Sequence, residues 1–265
     1  MVSAKTIFKD RYVLHELVRK RVKAQYRNSF LGMLWTILNP LLNMLVMWVV
    51  FKQFFGRNDP LYPIYLLAGN VLFGCLRGAT DGALQSVVNN RGLLTRVKIE
   101  PYLFPLSSTL SSLVTMAFSM IALLIIMLSM QIFGGYSIFH YRIFAVLLMI
   151  PAFVLFEYGI GLFLSAIYVF ARDIKHLYSV FLTLWTYITP IFYKVDTLKV
   201  GSFAYKLVKC NPMYYFVRFF RDALYMGWSE YPVQDLLVLY GLGVASVIIG
   251  TVTFKLLKKH FMTNL

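Results

Sequence analysis

Charge is what this 265-residue chain has least of. Asp, Glu, Lys and Arg together make up 14% of it, against about 25% in a soluble domain. Acidic residues are the scarcest, 11 against 26 Lys+Arg. His15, His140, His176 and His260 are scattered, so no His, Cys and carboxylate cluster has metal spacing. Two cysteines, Cys75 and Cys210, exclude a disulfide framework. Gly never precedes Lys, so no GxxxxGK[ST] phosphate loop exists and ATP is not bound by that route. No nucleophile motif stands out, and no inverted repeat suggests a secondary transporter. No cleavable leader is expected, because the first apolar run starts only after about thirty polar residues and reads as a retained span.

What is present is apolar: 59% of residues are hydrophobic and the mean hydropathy is +0.68. At roughly 20 residues per span, six transmembrane helices are expected near 33–54, 63–88, 104–133, 142–170, 177–195 and 233–257. The fifth is short, aromatic-rich and contains Pro190. The expected fold is an all-α membrane protein, one domain over 1–265, with an N-terminal amphipathic interface helix in 1–31 and a six-helix membrane domain over 33–257. The stretch 196–232 is too long and too apolar for a plain loop. It reads as two short re-entrant helices broken at Asn211-Pro212, tolerated at membrane depth where they are buried in protein or line water.

Charge sets the expected orientation. Lys5, Lys9, Arg11, Arg19, Lys20, Arg21, Lys23 and Arg27 precede the first span. Arg91, Arg96 and Lys98 follow the second, Arg172 and Lys175 the fourth, and Lys255, Lys258 and Lys259 the sixth. The opposite side holds nine cations, most of them between the fifth and sixth spans, and Arg77 lies within the second. The bias places both termini in the cytoplasm. Basic residues arranged between apolar spans point to a membrane rather than to nucleic acid.

Leu14, Leu17, Val18 and Val22 recur at helical spacing among basic residues, so the N-terminal helix is expected to lie in the headgroup region among membrane lipids. In the second span, Arg77 and Asp81 share a face at i,i+4, extended by Asn70 and Gln85. Two readings stand: an ion pair fixing the helix rotation, or one wall of a hydrated conduit. Gly74, Gly78 and Gly82 form a small-residue stripe beside them, suited to close helix contact. Ser108, Ser112, Thr115 and Ser119 share a face of the third span, which ordinarily means packing. Pro151 in the fourth span predicts a kink, and Glu157 follows it as a lone acid, protonated, paired or facing a cavity. Tyr178, Phe181, Trp185 and Phe192 fall near one face of the fifth span, either as a surface for stacking sugar rings or as core and interfacial aromatics. Arg172 and Asp173 read as a local pair or helix cap, and Arg218 and Asp222 as an i,i+4 pair.

The junction YRNSFLGMLWTILNP carries a resemblance. Tyr26, Arg27, Ser29, Leu31, Gly32, Trp35, Asn39 and Pro40 match a block found in permease subunits of bacterial ABC exporters for lipid-linked polysaccharides and teichoic acids, and the likeness continues over essentially the whole chain. The 2–3 loop NNRGLLTRVKIEPYLFPLS is similar to that family's coupling segment, with Thr95 and Arg96 where a Lys usually follows the paired aliphatics. Arg172-Asp173, Asn211-Pro212-Met213 and Arg221 match further blocks. The resemblance implies export of a polyprenyl-pyrophosphate-linked polysaccharide, O-antigen or teichoic acid, from the cytoplasm across the bacterial inner membrane, serving cell-envelope biogenesis. It implies a homodimer joined by two copies of a cognate ABC ATPase, with ATP and Mg held on that partner and no cofactor in this chain. It implies a lipid-pyrophosphate entrance at Arg19, Lys20, Arg21, Lys23 and Arg27, a substrate path along Arg77, Asp81, Glu157, Tyr178, Phe181, Trp185 and Phe192, ATPase coupling through Arg91, Leu93, Leu94, Arg96, Arg172 and Asp173, and an outer gate at Asn211, Pro212, Arg218 and Arg221. Two other classes are weighed. A membrane-embedded transferase acting on polyprenyl-phosphate-linked sugars would need clustered carboxylates, for which Asp81 and Glu157 are the only candidates within spans. An ion or drug exporter would lack the aromatic and interface features.

Overall fold

Apolar runs broken by Gly, Pro and polar turns fold here into helices throughout. The computed structural model describes residues 4–26, 31–55, 59–97, 99–136, 140–226, 232–259 and 261, and no strand occurs among them. Helix α1 spans Ala4–Tyr26, α2 Trp35–Phe55, α3 Tyr62–Leu84, and the short α4 and α5 Ser86–Asn89 and Arg91–Arg96. Then come α6 (Leu103–Gly134), α7 (Ala145–Tyr168), α8 (Ile174–Ile188), α9 (Phe203–Cys210), α10 (Pro212–Arg221) and α11 (Pro232–Lys258).

By length and composition α2, α6, α11 and the segment Tyr141–Tyr168 around α7 can cross a bilayer. The other two expected spans differ from these. α3 is long enough at 23 residues but carries Arg77 and Asp81, and it is the most enclosed helix, packed by α2, α6, α7 and α10. α8 has 15 residues, about 22 Å of helix against a hydrocarbon core of about 30 Å. It stops at Ile188, earlier than the expected 195, because Thr189 precedes Pro190 and adopts ψ 130°. Residues 189–194 continue without helix, and a single 3-10 turn follows at Val195–Thr197.

Proline inside a helix leaves the carbonyl four residues back without its donor. Pro40 lies within α2, and the stranded Thr36 carbonyl accepts a hydrogen bond from the Ser119 hydroxyl of α6 at 3.3 Å. α7 likewise continues as helix through Pro151. α6 ends at Gly135, whose φ of 68° suits a residue without Cβ.

The tightest crossing joins α7 and α11. A Cβ on Gly250 would stand 2.2 Å from the Gly159 carbonyl oxygen, one on Gly243 would stand 2.7 Å from that of Ala152, and one on Gly159 would meet the Ser246 backbone at 2.3 Å. The stripe expected to serve this purpose, Gly74, Gly78 and Gly82, serves it in part. Gly74 faces open space, Gly78 faces the Ser112 hydroxyl, and Gly82 supports the Arg21 guanidinium.

The two ends of the bundle are distinct. At one end Tyr102 donates to Asp10 at 3.2 Å, Lys258 pairs with Glu100 at 2.5 Å, and Val87, Leu162, Val169, Phe254 and Phe261 form a separate cluster. At the other, Lys194 pairs with Asp59 at 2.6 Å and the Tyr62 hydroxyl donates to the Phe192 carbonyl at 2.8 Å. The segments grouped by charge on each side thus meet in space. Four of the nine cations expected at the second end have partners or turn inward. Lys194 has Asp59, Lys209 has the Tyr214 hydroxyl, Arg218 has Asp222 at 3.6 Å, and Arg221 turns inward.

Candidate functional site

α1 packs on α6, and Leu14, Leu17, Val18 and Val22, whose spacing suggests a face turned to lipid headgroups, are half-buried. Arg21 sits on that face and reaches inward, where its Nη1 donates to the Ser108 hydroxyl at 2.6 Å. Burial pulls the guanidinium below its ordinary value, with the Asp81 carboxylate acting in the opposite direction. Beneath it opens a cleft of about 830 Å³ bounded by α1, α2, α3 and α6, with Thr186 of α8 at its edge.

The cleft wall mixes apolar side chains, among them Trp35, Met47 and Phe73, with a continuous polar set. α2 contributes Asn39 and Asn43, α3 contributes Asn70, Arg77 and Asp81, and α6 contributes Ser111, Ser112, Thr115 and Ser119. Arg77 and Asp81 are both exposed to it. They form no ion pair within 4 Å among the described residues; Arg77 donates instead to the Thr186 hydroxyl of α8 at 3.2 Å. The shared face inferred from their spacing is real, and the reading as a closed structural pair is corrected. The serine and threonine stripe of α6, whose ordinary meaning is packing, forms the opposite wall. Thr115 donates to the Gln25 side chain of α1 at 3.5 Å.

The other expected path residues are divided. Glu157 is fully buried on α7, where it accepts at 3.7 Å from the thiol of Cys75, itself a cleft residue, and its Oε1 has no hydrogen-bond partner. Tyr178 is buried and donates to Thr80 at 2.6 Å. Trp185 is buried as well, its indole N–H donating to Asn211 at 2.8 Å. Phe192 stacks on Phe51, with ring centroids 6.3 Å apart. Phe181 is exposed, together with Leu177, Val180, Leu184 and Tyr187 along the outer face of α8. An apolar groove of about 700 Å³ separates that face from α9.

Of the entrance cations, Arg21 enters the cleft. Arg19 lies 3.9 Å from Glu16, Lys20 and Lys23 are exposed, and Arg27 lies outside the described residues. At the end that carries α4 and α5, Arg96, Arg172 and Asp173 are exposed. Asp173 precedes α8 without a side-chain cap, and neither it nor Arg172 forms a local pair among the described residues, so the expected local role is not realised. Arg91 is exposed and Leu93 is half-buried, whereas Leu94 packs on the cluster of Val87, Leu162 and Phe254.

The block at Asn211-Pro212 is a joint. Asn211 caps α10 by accepting from the Met213 N–H at 3.0 Å, accepts from Trp185 and donates to Thr189 at 2.9 Å. Pro212 follows as the first residue of α10, where a missing N–H costs nothing. Arg221 is 3% exposed and donates to the carbonyls of Pro190 at 2.6 Å, Tyr65 at 2.8 Å and Ile191 at 3.2 Å, with its guanidinium 3.3 Å from the Tyr65 ring centre.

The profile of the ABC-2 type transporter family matches residues 12–225. The O-antigen export system permease protein RfbA of Myxococcus xanthus is 29% identical over 243 residues, covering 92% of this chain and 90% of the relative. A protein of the same name from Klebsiella pneumoniae is 23% identical over 245 residues, covering 92% of both chains. The polysialic acid transport protein KpsM of Escherichia coli is 20% identical over 259 residues, covering 96% of this chain and 97% of that one. A multi-pass helical bundle, a polar cleft inside it and a profile spanning most of the sequence agree: the chain belongs to the ABC-2 type transporter family.

Proposed function

We propose that this chain is the membrane-spanning subunit of an ATP-driven exporter, moving a polyprenyl-pyrophosphate-linked polysaccharide from the cytoplasmic side of the inner membrane outward. The observation that carries the reading is the polar cleft with Arg21 of the basic helix set into it. Relatives named for O-antigen and polysialic acid favour a polysaccharide over a teichoic acid. Six spans, with α3 and α8 as the second and fifth, put both termini in the cytoplasm. Exposed Arg77 and Asp81 cannot face lipid tails at low cost. A second copy therefore covers the cleft, and a homodimer forms the conduit. Work is supplied by two copies of a separate ATPase, which holds ATP and Mg. Arg91, Leu93, Arg96, Arg172 and Asp173 form its docking surface, and the joint at Asn211, Pro212, Arg218 and Arg221 forms the outer gate. The transferase reading loses ground because Glu157 is fully buried while Asp81 is exposed, and no cluster of three potential metal ligands exists among the described residues.

The loop leucines test the docking surface. Leu93→Asp is expected to leave the permease folded while co-purification of its ATPase and glycan-stimulated ATP hydrolysis fall together, about tenfold. Leu94→Asp sets a carboxylate against an apolar cluster and is expected to cost about 3 kcal/mol, seen as lower yield and melting temperature. Full ATPase retention by Leu93→Asp would remove this loop from the docking surface. Orientation is tested on the natural thiols. Cys210 is exposed on α9 and Cys75 is buried. An impermeant maleimide is expected to label intact cells at Cys210, and labelling only after permeabilisation would reverse the topology.

A further inference from the structure

Three ionisable side chains of opposite sign line the cleft: Arg21, Arg77 and Asp81. One positive charge is left over among them. Each guanidinium carries five N–H donors. Arg21 uses one on Ser108 and Arg77 one on Thr186. Asp81 projects from the same helix as Arg77 and one residue before Gly82, on which the Arg21 guanidinium rests. Its carboxylate nonetheless takes no hydrogen bond and no ion pair within 4 Å among the described residues. It is close enough to act on Arg21 and too far to satisfy it. The Ser112 and Thr115 hydroxyls face the same space.

Building on the export reading, we propose that Asp81 is a resident counter-charge, displaced from the influence of Arg21 when a phosphate-ester anion enters the cleft and is taken between Arg21 and Arg77. Phosphate oxygens match the planar fork of a guanidinium and draw on donors that Asp81 leaves unused. The same carboxylate repels the anion and so limits its affinity. A site on a transport path must bind well enough to admit its cargo and weakly enough to release it. Two arginines without the carboxylate would hold the anion too long for onward movement. Asp81 thereby sets affinity and release, while the arginines make the contact.

The test uses the purified full-length chain in detergent, with farnesyl pyrophosphate as probe and farnesol as the uncharged control, read by calorimetry. Arg21→Gln and Arg77→Gln are each expected to weaken pyrophosphate binding about tenfold, while Arg21→Lys retains part of it and farnesol binding does not change. Asp81→Asn is the deciding variant: it is expected to bind the probe about fivefold more tightly than the parent. Equal or weaker binding by Asp81→Asn in a chain of normal melting temperature would overturn the proposal. Competition by short-chain phosphatidylglycerol separates the two sources of phosphate. Weak competition supports the lipid-linked carrier, and competition equal to that of the probe overturns it in favour of the bilayer's own headgroups. Neither arm involves ATP or a glycan, so a negative result refutes the counter-charge and leaves the export reading to its own tests.

Discussion

Replacing Arg221 by Met is expected to strip the permease of its outer joint and lower its stability by on the order of 3 to 5 kcal/mol. The cost arises in the carbonyls left behind rather than in the guanidinium itself. Helix α8 stops at Ile188, just before Thr189-Pro190; of the carbonyls that follow, that of Pro190 accepts from the Tyr65 hydroxyl at 3.1 Å and from Arg221, and that of Ile191 accepts from Arg221. The same side chain reaches the Tyr65 carbonyl of α3, which ties three elements at one point. An Arg221→Lys chain keeps the charge but not the fork, and it is expected to fall between parent and Met variant. Thermal unfolding followed by size-exclusion chromatography measures the series. A Met variant that melts with the parent would mean that water, not Arg221, serves those carbonyls.

Gly250→Ala is expected to have the second-largest effect. The single added methyl would stand 2.2 Å from the Gly159 carbonyl oxygen, a backbone atom that no rotamer change can move aside. α7 and α11 must then separate along their length, at on the order of 3 kcal/mol. Gly241→Ala, with no atom within 4 Å of the new methyl, serves as the control and is expected to leave yield and melting temperature unchanged or slightly raised. Equal behaviour of the two variants would show that the α7–α11 crossing is looser than these distances.

The same pair of helices shows where the sequence was legible. Glycine spacing in α3 announced a close contact, but spacing does not reveal which helix approaches. Gly74 faces the cleft, Gly78 takes the Ser112 hydroxyl of α6, and the closest backbone crossing falls at Gly159, Gly243 and Gly250 of α7 and α11. Gly243 and Gly250 are seven apart on one face of α11, a signal that was available. The break at Asn211-Pro212 was readable because an N-cap followed by Pro has a local cause. The partners of Arg221 are not readable from sequence, because two are backbone carbonyls just past the end of α8 and the third is that of Tyr65 in α3, all at least 30 residues away in the chain. The shared face of Arg77 and Asp81 followed from periodicity. Their separation depends on Thr186 and Arg21, which arrive from α8 and α1. Leu94 looked like a docking anchor in the loop and is instead packed against the end of the bundle.

The account rests on movement of a finished lipid-linked glycan rather than on its synthesis. Cells depleted of this chain decide between the two when total lipid-linked glycan and the fraction reached by an impermeant lectin are measured together. Export predicts that the total is maintained or raised while the lectin-accessible fraction collapses. A fall in the total with an unchanged accessible fraction would contradict it and place the chain in synthesis.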